Sequence, residues 1–169
     1  FLRRNTEGRI KVTLPGPFTM AQQALNEYYS DTESLAMDYA VCVNQEVKEL
    51  FQAGADVVQL DEPWLRVNPD GAREYAVRVI DKALEGVVGV TALHLCFGYA
   101  AVVSDKPAAY DFLTELAGCC VQQISIEAAQ PKLDLSVLRE FTDKPIILGV
   151  LDLGAAPVEA PGKIPEPIR

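Results

Sequence analysis

The chain has 169 residues, of which 49% are hydrophobic and 23% charged, so it can bury the core of one domain. Its net charge of -9 and its pI near 4.6 argue against nucleic acid or an anionic membrane surface as the main partner. The sequence shows neither an apolar run near the ~20 residues that cross a bilayer nor a signal-peptide pattern.

Short apolar segments alternate along the chain with segments of helical periodicity. The predicted elements are a strand at 9–14, a helix at 33–53 ended by Gly54, a strand at 56–60, a helix at 70–84, a strand at 87–95, a helix at 108–117, a strand at 121–126, a helix at 134–141 and a strand at 145–151. The proline-rich segment 15–19 is interpreted as a rigid turn. Crossovers of this length join parallel strands in right-handed units, which predicts an α/β fold.

Three consecutive strands become polar on one face as they approach their carboxyl ends. The residues on that face are Gln59, Asp61, His94, Cys96, Ser125 and Glu127. A doubly wound sheet covered by helices is apolar on both faces, whereas the inward residues of a (β/α)8 barrel line its mouth. We therefore predict a partial (β/α)8 TIM barrel with about five of its eight βα units, because a complete barrel takes roughly 250 residues.

The domain boundaries follow from this interpretation. Residues 1–169 are expected to form a single partial-barrel catalytic domain, and the segment 155–169, with four prolines, is expected to be an irregular tail. Because the chain begins with Phe1 and has too few units to close a barrel, we interpret it as part of a longer protein or a degenerate copy of one.

The cysteines do not have the spacing of a secreted disulfide framework, which predicts a reducing, cytoplasmic location. They are Cys42, Cys96, Cys119 and Cys120. Cys119 and Cys120 precede their strand, at the end of the sheet opposite the polar rim, and are expected to have inert packing roles. Cys42, within a predicted helix, is expected to pack in the same way.

The only histidine stands two residues before Cys96 at the end of an apolar strand. Alternate strand residues share a face, so the imidazole of His94 and the thiol of Cys96 should converge as two zinc ligands do. Glu127 adds a carboxylate on the same rim. We predict a zinc site at these three residues with a position left for substrate. The alternative is a neutral, buried His94 bonded to the backbone, with Cys96 as a small apolar filler.

Two carboxylates follow the second strand. Asp61 and Glu62 at this rim are suited to hold a substrate ammonium group, with only Asp61 facing the mouth because neighbouring strand residues point apart. The alternative is a helix N-cap beside a solvated Glu62. Asp152, at the end of the last strand, is a weaker rim candidate.

Four ordered motifs resemble the C-terminal catalytic domain of cobalamin-independent methionine synthase. They are LPGPFT at 14–19, QLDEP at 59–63, HLC at 94–96 and SIE at 125–127. The resemblance covers about 9–152, and the segments HLCFGY at 94–99 and IEAAQP at 126–131 are most similar to the short, single-barrel members. It implies zinc bound by His94, Cys96, Glu127 and a second cysteine, and a homocysteine amino group held by Asp61.

The reaction implied by the resemblance is methyl transfer from 5-methyltetrahydrofolate, usually polyglutamylated, to the thiol of homocysteine, forming methionine. Two departures from the family pattern are visible. The second cysteine ligand belongs to a late strand that this chain does not include. Gly154 stands where the methionine synthases have a histidine that is thought to protonate the folate leaving group.

These departures keep two other functions open. The first is another zinc–thiol alkyl transfer, such as epoxide opening by coenzyme M, which needs no folate-protonating histidine. The second is an inactive, truncated barrel whose open edge strand promotes association. We expect the 169-residue chain alone to show little activity. The sequence leaves the oligomeric state undetermined.

Overall fold

The structure is a computed structural model that describes residues 1–96, 112–129 and 134–151. Its strands are β1 Lys11–Pro15, β2 Val57–Asp61, β3 Val90–Leu95, β4 Gln123–Glu127 and β5 Ile146–Gly149. Its helices are α1 Leu2–Asn5, α2 Pro17–Gln23, α3 Thr32–Gln52, α4 Trp64–Val67, α5 Pro69–Gly71, α6 Val77–Ala83 and α7 Leu113–Ala117, with a π-helical turn at Ala72–Ala76 and a 3-10 helix at Leu135–Glu140. The predicted tail 155–169 and the rim candidate Asp152 lie outside the described residues.

The five strands form one parallel sheet in the order β1-β2-β3-β4-β5. A doubly wound sheet reverses its strand order at a switch point, whereas barrel strands follow one another in sequence. The prediction of a partial (β/α)8 barrel is therefore confirmed. The register places Asp61 beside His94 and His94 beside Ser125, which sets three strand ends along one rim.

The outward residues of the sheet form the core with the helices. They are Val58, Leu60, Leu93, Leu95, Ile124 and Ile126, each at most 1% exposed. Alternation along each strand aims these side chains at the helix layer, and their polar neighbours therefore face the barrel interior.

Helix α3 shows how local sequence positions this layer. The Asp31 carboxylate accepts the backbone N–H of Ser34 at 2.7 Å and caps the first turn. Gly54 ends the helix with a φ of +98°, a left-handed conformation that glycine adopts without strain. The helix predicted at 33–53 is thus confirmed within one residue at each end.

Three predicted elements differ from the observed ones. The helix predicted at 70–84 is divided by the π-helical turn, the helix predicted at 134–141 is a 3-10 helix, and the strand predicted at 87–95 begins only at Val90. Gly89, with a φ of +151°, precedes the first paired residue of β3.

Among the described residues, none of the helices has both the length and the apolar character needed to traverse a lipid bilayer.

The segment 15–19, predicted to be a rigid turn, instead begins helix α2 at Pro17. Proline suits the first helical position because its missing N–H has no intrahelical partner there. The Phe18 side chain is fully buried and its ring lies 5.1 Å from that of Tyr75. Packing against a residue 57 positions away, as well as local preference, therefore supports this helix.

Candidate metal centre

The predicted site residues lie at the carboxyl ends of three adjacent strands. Asp61 is the last residue of β2, His94 is the penultimate residue of β3 with Cys96 just beyond it, and Glu127 is the last residue of β4. Since parallel strands end at the same edge of a sheet, these side chains meet at one rim. This is the edge at which barrel enzymes hold their active sites.

One ligand atom from each of His94, Cys96 and Glu127 lies within 4.8 Å of the other two, and all three residues are half-buried. The Nε2 atom of His94 is 3.9 Å from Oε1 of Glu127. Tetrahedral zinc, with bonds of roughly 2.0–2.3 Å, separates its ligand atoms by roughly 3.3–3.8 Å. The three side chains therefore offer ligand atoms of the types that bind zinc. Only small side-chain shifts would bring these atoms to the distances of a zinc site. That they bind a metal is still a prediction.

The imidazole of His94 is held by a neighbouring strand. Its Nδ1 atom is 3.0 Å from the hydroxyl oxygen of Ser125. When Nδ1 carries the proton and donates it to this oxygen, Nε2 keeps its lone pair on the side of Glu127. The partner of His94 is thus a side-chain hydroxyl, unlike the backbone partner of the alternative interpretation.

Asp61 lies at the rim beside this group without being one of its three members. Its Oδ1 atom accepts a hydrogen bond of 2.7 Å from the side-chain amide of Gln59, two residues earlier on the same face. The bond holds the half-buried carboxylate at the strand end next to His94. A carboxylate in this position is able to accept a substrate ammonium group, which remains a prediction for this chain.

Glu62 does not have the solvated position of the alternative interpretation. Rather than being solvated, it is 1% exposed, and its two oxygens accept the backbone N–H groups of Phe18 at 3.0 Å and Thr19 at 2.7 Å. These donors belong to the first turn of α2, where N–H groups lack intrahelical partners. Burial raises the pKa of Glu62 to about 7, against the opposing effect of these hydrogen bonds. The solvated alternative for Glu62 is wrong.

The alternation of side chains along β2 already indicates that Glu62 is buried. Asp61 faces the barrel mouth, so the next side chain points toward the helix layer, where a carboxylate needs buried donors. The residue pattern did not indicate which helix would supply them.

The three cysteines away from the rim only partly have the packing roles expected for them. Cys42 and Cys120 are exposed, so packing roles for them are wrong, whereas Cys119 is 2% exposed. The neighbouring thiol of Cys119 lowers the pKa of Cys120, whereas the neighbouring Cys120, together with burial, raises the pKa of Cys119. Both cysteines lie beside Asp81, away from the rim.

The fold and the rim together define a class of protein: a parallel β/α-barrel chain with an imidazole, a thiol and a carboxylate grouped at its carboxyl edge. Residues 3–169 match the family model described as "Cobalamin-independent synthase, Catalytic domain". The chain belongs to this family.

The sequence relatives of the chain include methionine synthases. Those of Thermococcus kodakarensis and Pyrococcus abyssi are 34% and 33% identical over 171 residues, covering 100% of this chain and 48% of each relative. The chain thus spans about half the length of the curated relatives it matches.

Comparison with solved structures gives relatives of the same fold. The B12-independent methionine synthase from Shewanella sp. W3-18-1, in complex with selenomethionine, superposes with a TM-score of 0.87 at 27% identity, covering 98% of this chain and 51% of that one. A methyltransferase from Methanosarcina mazei has a TM-score of 0.67 at 17% identity, covering 86% and 44%, which shows a shared fold.

Proposed function

We propose that the full-length protein is a zinc-dependent methyltransferase that methylates the thiol of homocysteine to form methionine. The observation that carries the proposal is the convergence of His94, Cys96 and Glu127 at the barrel rim, in a chain of the cobalamin-independent synthase family. The names of the sequence relatives support the same reaction. The activity is assigned to the full-length protein because this chain matches about half of those relatives.

The three side chains would hold the metal through one nitrogen, one sulfur and one oxygen. Bound zinc would supply acidity: a free thiol has a pKa near 8.5, and coordination would favour its thiolate form at neutral pH. Ser125 keeps the His94 ring in the orientation that presents Nε2. Asp61, restrained by Gln59, would accept the amino group of homocysteine and so fix the direction from which its sulfur enters the rim.

The proposed methyl donor is 5-methyltetrahydrofolate, usually polyglutamylated. The methyl carbon would leave the folate nitrogen and bond to the homocysteine sulfur, while the folate nitrogen takes up a proton. Gly154 occupies the position at which methionine synthases have the histidine thought to donate that proton. This specific departure favours one second candidate, an alkyl transfer to coenzyme M by epoxide opening.

Product analysis separates the two candidates. The full-length, zinc-loaded protein is given homocysteine with methyltetrahydrofolate, or coenzyme M with a small epoxide, and thioether products are measured by mass spectrometry. We expect methionine from the first pair only. A coenzyme M thioether without methionine would replace the first proposal with the second, and absence of both would favour an inactive barrel.

The proposed role of Asp61 predicts a substrate-dependent effect. In Asp61→Asn, loss of the charge should raise KM for homocysteine about tenfold or more, because hydrogen bonds between charged groups contribute roughly 1.5–3 kcal/mol. The thiol of the same length without an amino group, 4-mercaptobutyrate, should show no such change in KM. Equal changes in KM for both thiols would remove Asp61 from amino-group binding.

Ser125 is expected to act through His94. Ser125→Ala should weaken zinc binding roughly 10–100-fold, the usual effect of removing a hydrogen-bond partner of a metal-ligating histidine. Ser125→Thr, which keeps the hydroxyl, is the matched control and should retain most of the affinity. Zinc competition with a chromophoric chelator measures both variants. Wild-type affinity in Ser125→Ala would show that the 3.0 Å contact does not orient the ring for a metal.

A further inference from the structure

A second group of metal-ligating side chains lies away from the rim. Asp81 belongs to α6, and Cys119 and Cys120 lie in the connection between α7 and β4. One ligand atom from each of the three lies within 4.8 Å of the other two. Cys120 precedes β4 while Glu127 ends it, so seven residues, or roughly 20 Å of nearly extended chain, separate this group from the candidate metal centre.

Hydrogen bonds hold these residues in place. The Oδ1 atom of Asp81 accepts the thiol of Cys119 at 3.2 Å and the backbone N–H of Cys120 at 2.8 Å. On the other side of the connection, the ammonium group of Lys144 donates to the carbonyl oxygens of Cys119 at 2.8 Å and Val121 at 3.0 Å. The backbone on both sides of Cys120 is therefore fixed, so the two thiols and the carboxylate are already gathered without a ligand.

The group is accessible from solvent on one side. Cys119 is buried, but Cys120 is exposed and lines an open groove of about 490 Å³. Two cations of the groove have carboxylate partners: Arg78 lies 2.6 Å from Glu33, and Lys82 lies 2.6 Å from Glu85. Their charges are partly balanced, which reduces the repulsion that an incoming cation would meet.

The donor set selects a class of ion. Thiolates are soft ligands and favour zinc-like ions, whereas magnesium and calcium require oxygen ligands. Tetrahedral zinc would place a sulfur and an oxygen ligand roughly 3.6 Å apart. The observed 3.2 Å between Cys119 Sγ and Asp81 Oδ1 is a hydrogen bond that would lengthen by a few tenths of an ångström once the thiol proton leaves.

We propose that Asp81, Cys119 and Cys120 form a second metal site, which binds a thiophilic divalent cation such as zinc or cadmium, with its fourth position open to the groove. Binding releases the thiol protons to solvent and involves no change in oxidation state. The bound ion would link α6 to the start of β4, two elements that are distant in sequence. Its expected consequence is stabilisation of the fold by the cation, which grows with the logarithm of the cation concentration above Kd.

The test uses the full-length protein carrying His94→Ala and Cys96→Ser, so that the candidate metal centre has lost two of its ligands and binds cadmium only weakly. Cadmium is titrated, with dialysis giving the stoichiometry and ultraviolet absorption reporting sulfur-to-cadmium charge transfer. We expect a saturable site with charge transfer from two thiolates. Adding Cys120→Ser should reduce this signal to that of one thiolate and weaken binding at least about tenfold.

Two further variants complete the test in the same background. Asp81→Asn keeps an acceptor for the Cys120 N–H and should weaken cadmium binding about tenfold because the charge is lost. Cys42→Ser is the matched control, since Cys42 is exposed on α3 and lies in neither metal-ligating group. It should leave the titration unchanged.

Absence of saturable cadmium binding in the background protein would overturn the second site. Unchanged charge transfer after Cys120→Ser, or an equal loss after Cys42→Ser, would do the same. Because His94 and Cys96 are already replaced, none of these results depends on whether the protein methylates homocysteine. Failure of the second site is therefore distinguishable from failure of the proposed function.

Discussion

Replacing His94 with alanine or Cys96 with serine is expected to remove the zinc bound at the barrel rim, about one equivalent, and with it methyl transfer by the full-length protein. Each change removes one of a small set of ligands, and structural zinc sites bind with roughly 10–16 kcal/mol in total. Losing one ligand should therefore weaken binding roughly a hundredfold or more. Metal analysis after dialysis, together with a methionine assay, measures both effects.

Cys42→Ser is the control for this experiment as well, because it removes an exposed thiol without touching the rim. It should keep the zinc content and the activity of the parent. Zinc in equal amount in the parent, His94→Ala and Cys96→Ser proteins would rule out the assigned ligands, whatever the activity. Lost activity with retained zinc would point to a substrate-binding role for the two residues instead.

Glu62→Ala is expected to destabilise the protein by about 3–5 kcal/mol. The change leaves the N–H groups of Phe18 and Thr19 without their buried acceptor and opens a cavity. The carboxylate is closely packed, because a Cβ added at Gly16 would clash with it. Urea unfolding measures the loss, and Glu46→Ala, at an exposed position of α3, should change stability by less than about 0.5 kcal/mol.

The raised pKa of Glu62 also predicts a pH dependence. With a pKa of about 7 in the folded protein and 4.5 as the unfolded reference, the folded state binds the proton more tightly between these values. Its contribution is complete below about pH 4.5 and is lost as the pH rises through about 7, for a total of about 3 kcal/mol. Glu62→Gln, which has no proton to lose, should flatten this part of the stability curve.

Unfolding free energies of the parent, Glu62→Gln and Glu46→Gln proteins between about pH 5 and about pH 8 isolate the effect. The control should follow the slope of the parent, since its carboxylate is exposed. Parallel curves for the parent and Glu62→Gln would mean that Glu62 stays ionised across this range. In that case the two amide donors, rather than burial, would govern its titration.

Local periodicity was sufficient to predict much of the fold. The 21-residue helix α3 has a buried stripe at helical spacing, a capping Asp31 and a terminating Gly54, and each can be recognised within a few residues. Strand alternation likewise placed His94, Cys96 and Glu127 on one rim, because residues two apart share a face. Their grouping within 4.8 Å agrees with that reasoning, although metal binding remains a prediction.

Local periodicity did not predict helix α2 or its contact with Glu62. The helix begins at a Pro-Gly-Pro segment typical of a turn, and the carboxylate that caps it comes from a residue 44 positions later. Ser125 was placed on the correct face, but its contact with His94 depends on the register of β3 against β4. In each case the decisive interaction joins segments that only the folded chain brings together.

The sequence by itself determined the parallel β/α class, the core faces and the set of polar residues at the carboxyl rim, because helix and strand geometry assign neighbouring residues to faces. The tertiary structure decided that Glu62 is buried beneath α2 and that Asp81 meets Cys119 and Cys120. These contacts depend on how helices pack across the sheet, and that packing is set by the combined shape of many distant side chains rather than by any local pattern.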